Sequence, residues 1–156
     1  LIFKMKEHPI KEVLFAKCEA FVSEKIHSLE KGLQSHQMAL ASEIKSSAGD
    51  KHETGRAMLQ LEMEKSGQQL QEVLQLKVVL EKISLQQQSA VIRLGSLVTT
   101  NRGIYFLAIS MGMIVHRQTT YFAVSPSSPI GSLLLGKRIG ENILFQGKQL
   151  SIEHFV

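Results

Sequence analysis

Residues 21–45 read FVSEKIHSLEKGLQSHQMALASEIK, and the apolar positions within that stretch decide the fold. Val22, Ile26, Leu29, Leu33, His36, Leu40 and Ile44 follow one another at spacings of 4, 3, 4, 3, 4 and 4. That rhythm lays a near-heptad seam along one face of a helix. Pro9, upstream, suits a first helical turn, where a missing N–H costs nothing. A second run carries Leu59, Met63, Ser66, Leu70, Val73, Lys77 and Leu80, again at spacings of 4 and 3, with Glu and Lys in many of the other positions. Between the runs stands Ser46-Ser47-Ala48-Gly49-Asp50, and Gly49 is expected to close the first helix in a left-handed conformation. So short a link folds the helices back antiparallel. Each would be about 35 residues and about 50 Å long. Two such helices bury no globular core between them and are held by seam contacts. Gly32 and Gly67 fall inside them, each costing roughly 1 kcal/mol relative to Ala.

The period changes after Gln86-Gln87-Gln88-Ser89. Leu97–Thr100, Ile104–Ile109, Met113–Val115, Thr119–Val124, Ile143–Phe145 and Leu150–Ile152 are short and β-prone. Asn101-Arg102-Gly103, Met111-Gly112 and Gly147-Lys148 are natural hairpin positions between them. One helix interrupts the strands: Ser127 or Ser128 caps it, Pro129 opens it and Gly136 closes it, with Lys137 and Arg138 by its negative end. The fold class expected is α+β: a long antiparallel helical coiled-coil hairpin over 1–88 with its tip at 47–54, a linker over 89–95, and a small, mostly antiparallel β domain with one short helix over 96–156.

Composition narrows the function. No apolar run approaches the roughly 20 residues of a membrane span. No charged-then-apolar leader pattern opens the sequence, so a cytoplasmic location and no membrane partner are expected. Cys18 is the single cysteine, which excludes an internal disulfide, and none of the six histidines pairs with another at zinc-ligand spacing. The net charge is +4; residues 1–94 hold 13 basic against 12 acidic side chains and residues 95–156 hold 5 against 2. That is too weak for a nucleic-acid footprint, although a basic C-terminal half can meet an acidic partner. No phosphate-binding glycine loop and no Ser-His-Asp or Cys-His pattern is present.

The bend is where chemistry can be read. Thirteen of the 14 acidic residues are Glu, and the sole Asp, Asp50, stands three residues before Glu53 at the start of the second helix. Two neighbouring carboxylates can share a hard cation such as Mg²⁺ with other ligands. The same pair also reads as an N-cap and its capping-box partner, suited to the positive helix end. Capping would fix the geometry that metal binding needs, so both readings stand.

Two separated segments resemble the Gre family of transcript cleavage factors. Gly49-Asp50-x-x-Glu53 is similar to the family's Gly-Asp-x-x-Glu-Asn-Ala tip. Ser128-Pro129-Ile130-Gly131-Ser132-Leu133-Leu134-Leu135-Gly136-Lys137, followed by Gly140-Glu141, resembles the family's Ser-Pro-Ile/Leu-(Ala/Gly)-x-x-Leu-(Ile/Leu)-Gly-Lys segment in its FKBP-like C-terminal domain. The resemblance implies a protein that is not an enzyme by itself but binds bacterial RNA polymerase at its secondary channel, globular domain outside and hairpin inward; a monomer is expected over an oligomer, although a free seam can self-associate. It implies that Asp50 and Glu53 help hold a Mg²⁺ shared with the polymerase, which then cuts its own backtracked RNA near the nascent 3′ end. No cofactor is implied for the isolated chain. Ser128, Pro129 and Ile130 would belong to the docking surface; helix capping and core packing are the other reading of those three.

The sequence also departs from that family. Asn-Ala-Glu-Tyr is usual after the tip Glu, whereas Thr54, Gly55, Arg56 and Ala57 stand here. A cation within one turn of the acids weakens their pull on Mg²⁺, and Lys51 and His52 add positive potential. Three functions compete: a transcript cleavage factor, a secondary-channel regulator without cleavage activity, and a coiled-coil adaptor for another partner. Among the remaining residues, Cys18 is expected to pack near Leu14 and Phe21, and His36 to be a tolerated polar seam residue.

Overall fold

The computed structural model describes residues 9–45 and 50–156, and side chains over 9–45 and 53–156. Two long helices open the chain: α1 (Pro9–Lys45, 37 residues) and α2 (Asp50–Glu81, 32 residues). Then come β1 (Leu97–Thr100), β2 (Gly103–Leu107), β3 (Gly112–His116), β4 (Thr119–Val124), α3 (Pro129–Leu134), β5 (Asn142–Phe145) and β6 (Lys148–Phe155). The fold is therefore α+β, two long helices ahead of a six-stranded, mostly antiparallel sheet with one short helix. No helix among the described residues is long and apolar enough to cross a membrane. The chain divides into two compact units, Phe21–Lys77 and, separately, Leu1–Ala20 with Val78–Val156.

In the Phe21–Lys77 unit the helices run antiparallel. A Cβ added at Gly55 of α2 would lie 3.6 Å from the Glu43 carboxylate of α1. Farther along, Lys25, Ser28 and Leu29 share a groove with Gln69, Glu72 and Val73. Val22 is buried, and Ile26, Leu29, Leu33, His36 and Leu40 are half-buried, as the seam requires. Two positions differ from the reading. Ile44 is 58% exposed and Glu43 half-buried in its stead, because the final spacing of 4 lets the stripe drift off the facing helix. Lys77 is likewise exposed, and Leu76 carries the seam from Val73 to Leu80. Gly49 and the rest of the bend over 46–49 lie outside the described residues.

In the other unit the sheet order is β3-β4-β2-β1-β6-β5. All neighbours are antiparallel except β2 and β4, which pair parallel through Tyr105↔Phe122, Phe106↔Ala123 and Leu107↔Val124. β6 is the longest strand because it pairs with both β1 and β5, and the β1–β6 register shifts between Thr99 and Thr100. The core joins Ile92, Val98, Leu107, Ile130, Leu134, Ile143, Leu150 and Ile152. Ile92 sits in the stretch expected to be a linker, yet it is buried: its N–H donates to Lys137 O (2.8 Å) and its carbonyl accepts from Gly136 N (2.7 Å).

The hairpins need correcting in two places. Met111-Gly112 is not a hairpin turn, because β2 finds its partner in β4 and the chain must pass to the far side of β4 before β3 begins. The hairpin there is β3–β4, closed by Arg117 and Gln118 at φ 47° and 68°. The last turn is Gln146-Gly147 (φ 51° and 74°), one residue ahead of the expected position. Both have the left-handed geometry of tight β-turns. The β1–β2 turn is held by a side chain: Thr100 Oγ1 donates to Gly103 O (2.8 Å) and accepts from Arg102 N and Gly103 N.

Candidate functional site

Two places carry the residues singled out by the sequence. The first is the start of α2. Asp50 is its opening residue, but its side chain, and with it the capping reading, lies outside the described residues. Glu53 is exposed and free of a buried environment, which suits a carboxylate offered to another molecule. Arg56 is half-buried one turn later. Glu43, from α1, lies over the first turns of α2, within ordinary contact distance of where a Cβ at Gly55 would stand. Glu43 was not legible as a tip residue, because the seam spacing put Ile44 on that face. Among the described residues no three His, Cys, Asp or Glu side chains gather to hold a metal.

The second place is α3. Ser128 is its N-cap, with extended backbone (φ −68°, ψ 160°). Its Oγ accepts from Gly131 N (3.0 Å) and donates to Ser125 O (2.6 Å), so one hydroxyl ties the helix start to the preceding turn. Pro129 occupies the first helical position, where no N–H is needed. Gly131 is obligatory: a Cβ there would stand 1.9 Å from Ser125 O. The chain leaves the helical path at Leu135 (φ −56°, ψ 128°), and Gly136 follows at φ 80° with its N–H donated to Ile92 O. Of the three residues assigned to docking, Pro129 is exposed, Ser128 half-buried, and Ile130 buried in the core at 7% exposure. The Ser-Pro-Ile-Gly run thus builds a rigid helix start whose outward face is Pro129 and Ser132.

No protein-family model and no curated protein matches the chain. Among solved structures, the transcription factor Gfh1 is similar at 17% identity, over 85% of this chain and 89% of that one, with a TM-score of 0.33. A likeness of that size assigns neither family nor function.

Other candidate groups resolve structurally. Cys18 is fully buried, and burial pushes its thiol up to about 11, so it is a packing residue and not a nucleophile. His36 keeps its seam place with Nδ1 buried and without a hydrogen-bond partner. A polar atom so placed is destabilising by about 1–3 kcal/mol.

Proposed function

We propose that the chain is a transcription factor that binds the secondary channel of bacterial RNA polymerase and stimulates the polymerase to cleave backtracked RNA. One observation carries the reading: Asp50 and Glu53 sit at the first turn of α2, directly after the bend between two long antiparallel helices, on a chain that also holds the Ser128–Lys137 segment resembling the Gre family. Two antiparallel helices can present carboxylates at the end where α2 begins. Mg²⁺ there would be one of two ions, one activating the attacking water and the other stabilising the leaving oxygen. Asp50 and Glu53 would be two of its ligands, the rest coming from the polymerase, since two carboxylates alone hold Mg²⁺ poorly. The chain itself is not an enzyme on this reading. Pro129 is its exposed contact with the partner, and Ser128 and Ile130 fix the position of Pro129.

The test is arrested polymerase incubated with the purified full-length protein. Short 3′ RNA fragments are expected to appear, and Asp50→Ala with Glu53→Ala is expected to lower their release by at least about 100-fold with co-purification of the polymerase unchanged. Equal release by the double variant sinks the cleavage reading. Failure of the wild-type protein to bind polymerase sinks the whole proposal and favours the coiled-coil adaptor.

The half-buried Arg56 favours a second reading, a secondary-channel regulator without cleavage activity. It predicts binding, competition with a cleavage factor and no fragments. Restoring an acid by Arg56→Glu is then expected to produce them.

A further inference from the structure

β3 stands at one edge of the six-stranded sheet, and among the described residues nothing pairs with its outer side. The two-residue turn Arg117-Gln118 makes His116 and Thr119 a hydrogen-bonded pair. Alternation along an antiparallel ladder then makes Ile114–Tyr121 and Gly112–Ala123 the next two such pairs. The bonds of β4 agree: Val124 O accepts from Ala108 N (2.9 Å), just past β2, whereas Ala123 O accepts from Met111 N (3.2 Å), just before β3. The N–H and C=O groups of Met113 and Val115 therefore point off the edge, away from β4.

The side chains of the same two residues are unusual for a free edge. Met113 is 64% exposed and Val115 56% exposed. Being two apart, they share one face of the sheet. Phe122 lies opposite Met113 on that face, and its ring meets the Tyr105 ring with centroids 5.8 Å apart. An apolar row Tyr105–Phe122–Met113 thus crosses three strands and stops at the edge. Natural edges are usually blunted by Lys, Pro, a bulge or a cover. Met113–His116 holds neither Lys nor Pro, and its register with β4 is unbroken. The opposite edge strand, β5, is less suited: of its outward residues Asn142 and Leu144, one is polar.

We infer that β3 is a homodimer interface, pairing antiparallel with β3 of a second copy about a twofold axis at Ile114. That register is self-complementary. Met113 of each copy falls opposite Val115 of the other, so the outward backbone groups exchange both N–H···O bonds at each pair. The apolar row then continues from one sheet into the next. Charge does not oppose the pairing. His116 falls opposite Gly112 of the second copy and Arg117 opposite its Met111. The two Arg117 residues are left about 20 Å apart along the ribbon, beyond the Debye length at physiological salt. A ribbon this short is small against the roughly 1,200–2,000 Å² of a stable interface, so the dimer is weak, with a Kd on the order of 100 μM. The inference does not depend on the proposed polymerase partner.

The test is sedimentation equilibrium of the full chain, from about tenfold below to about tenfold above that Kd. A monomer–dimer equilibrium is expected. The Met113 and Val115 amides should gain hydrogen-exchange protection as concentration rises, while those of Ile114 and His116, already bonded to β4, stay unchanged. Met113→Lys with Val115→Lys sets like charges opposite each other across the axis and is expected to weaken association by at least about tenfold. Either substitution alone serves if the pair together does not fold. Leu144→Lys, at the other edge, is expected to leave association unchanged. A monomer throughout the range overturns the inference, as does growth beyond the dimer, which marks head-to-tail pairing of β3 with β5. Association that survives the Lys substitutions in β3, or is lost in Leu144→Lys, belongs to another surface and overturns it too. Protection of the Met113 and Val115 amides at every concentration would show that the edge is covered within one chain, with the same consequence.

Discussion

Cys18 and Gly131 show how one atom can decide a residue's role. The Cys18 thiol is fully buried and its pKa is raised to about 11, so at pH 8 about one thiol in a thousand is ionised. Native protein is expected to resist a disulfide reagent at pH 8, and to react in full once unfolded in guanidinium. Rapid native labelling would show that the thiol is accessible. The same shift has a linkage sign. Between pH 9 and 11 the unfolded thiol loses its proton while the folded one keeps it, so the contribution of Cys18 to stability is complete below pH 9 and falls as pH rises towards 11. A Cys18→Ala variant, compared with wild type across that window, is expected to lack that part of the decline. At Gly131 the missing atom is the point. A Cβ would strike Ser125 O, an acceptor already fixed by Ser128 Oγ and Ser128 N. Gly131→Ala is expected to destabilise by about 3 kcal/mol, since backbone has to move. Ser128→Ala, which loses the cap and the bond to Ser125 O but moves no backbone, is expected to cost about 1–2 kcal/mol. Equal denaturation midpoints for the two would refute this account of the helix start.

At the scale of elements, the two long helices contain an avoidable weakness. Gly32 and Gly67 are helical, and a Cβ at either would meet nothing within 4 Å. Gly32→Ala and Gly67→Ala are each expected to stabilise by about 1 kcal/mol, measured by urea denaturation. A loss of stability at either would mean that the glycine serves a close approach. The seam that made these helices legible is a pattern of many residues, so errors at Ile44 and Lys77 did not disturb it. Strands were legible for the same reason, through clusters of Val, Ile, Thr and Phe. The hairpins were less so. Arg117 and Gln118 hold positive φ without the Asn or Gly that announces a tight turn, so the β3–β4 connection had no local signal. Met111-Gly112 had that signal without the turn, because the parallel pairing of β2 with β4 is a long-range choice. At the candidate site, the Ser128 cap and Pro129 were readable from the Ser-Pro pair. The place of Ile130 was not, since an apolar residue in a short helix reads equally as surface contact or core.

The distribution of burial over the whole molecule sets the order in which its parts open. Among the described residues of the Phe21–Lys77 unit, Val22 and Val73 are the only buried hydrophobic side chains, while Met38, Met58, Leu61 and Leu74 are exposed. His36 adds an unsatisfied buried nitrogen to that unit. The β unit has a contiguous core of eight buried residues spread over four strands, α3 and the segment before β1. Apolar burial stabilises by about 25 cal/mol per Å², so the helical pair has much less to lose on opening than the sheet. Long helices held by seam contacts also unwind locally without disrupting the rest of their length. The protein is therefore expected to show two levels of hydrogen-exchange protection. Peptides covering 26–40 and 57–70 should exchange at least about 100-fold faster than peptides covering β1, β2 and β6, as for sub-global opening below the global free energy. Introducing Gly32→Ala and Gly67→Ala together should slow the helical peptides and leave the strand peptides unchanged. Equal protection of helices and strands in the wild-type protein would show instead that the molecule opens as one cooperative body, with the seam drawing its stability from a source other than its own buried side chains.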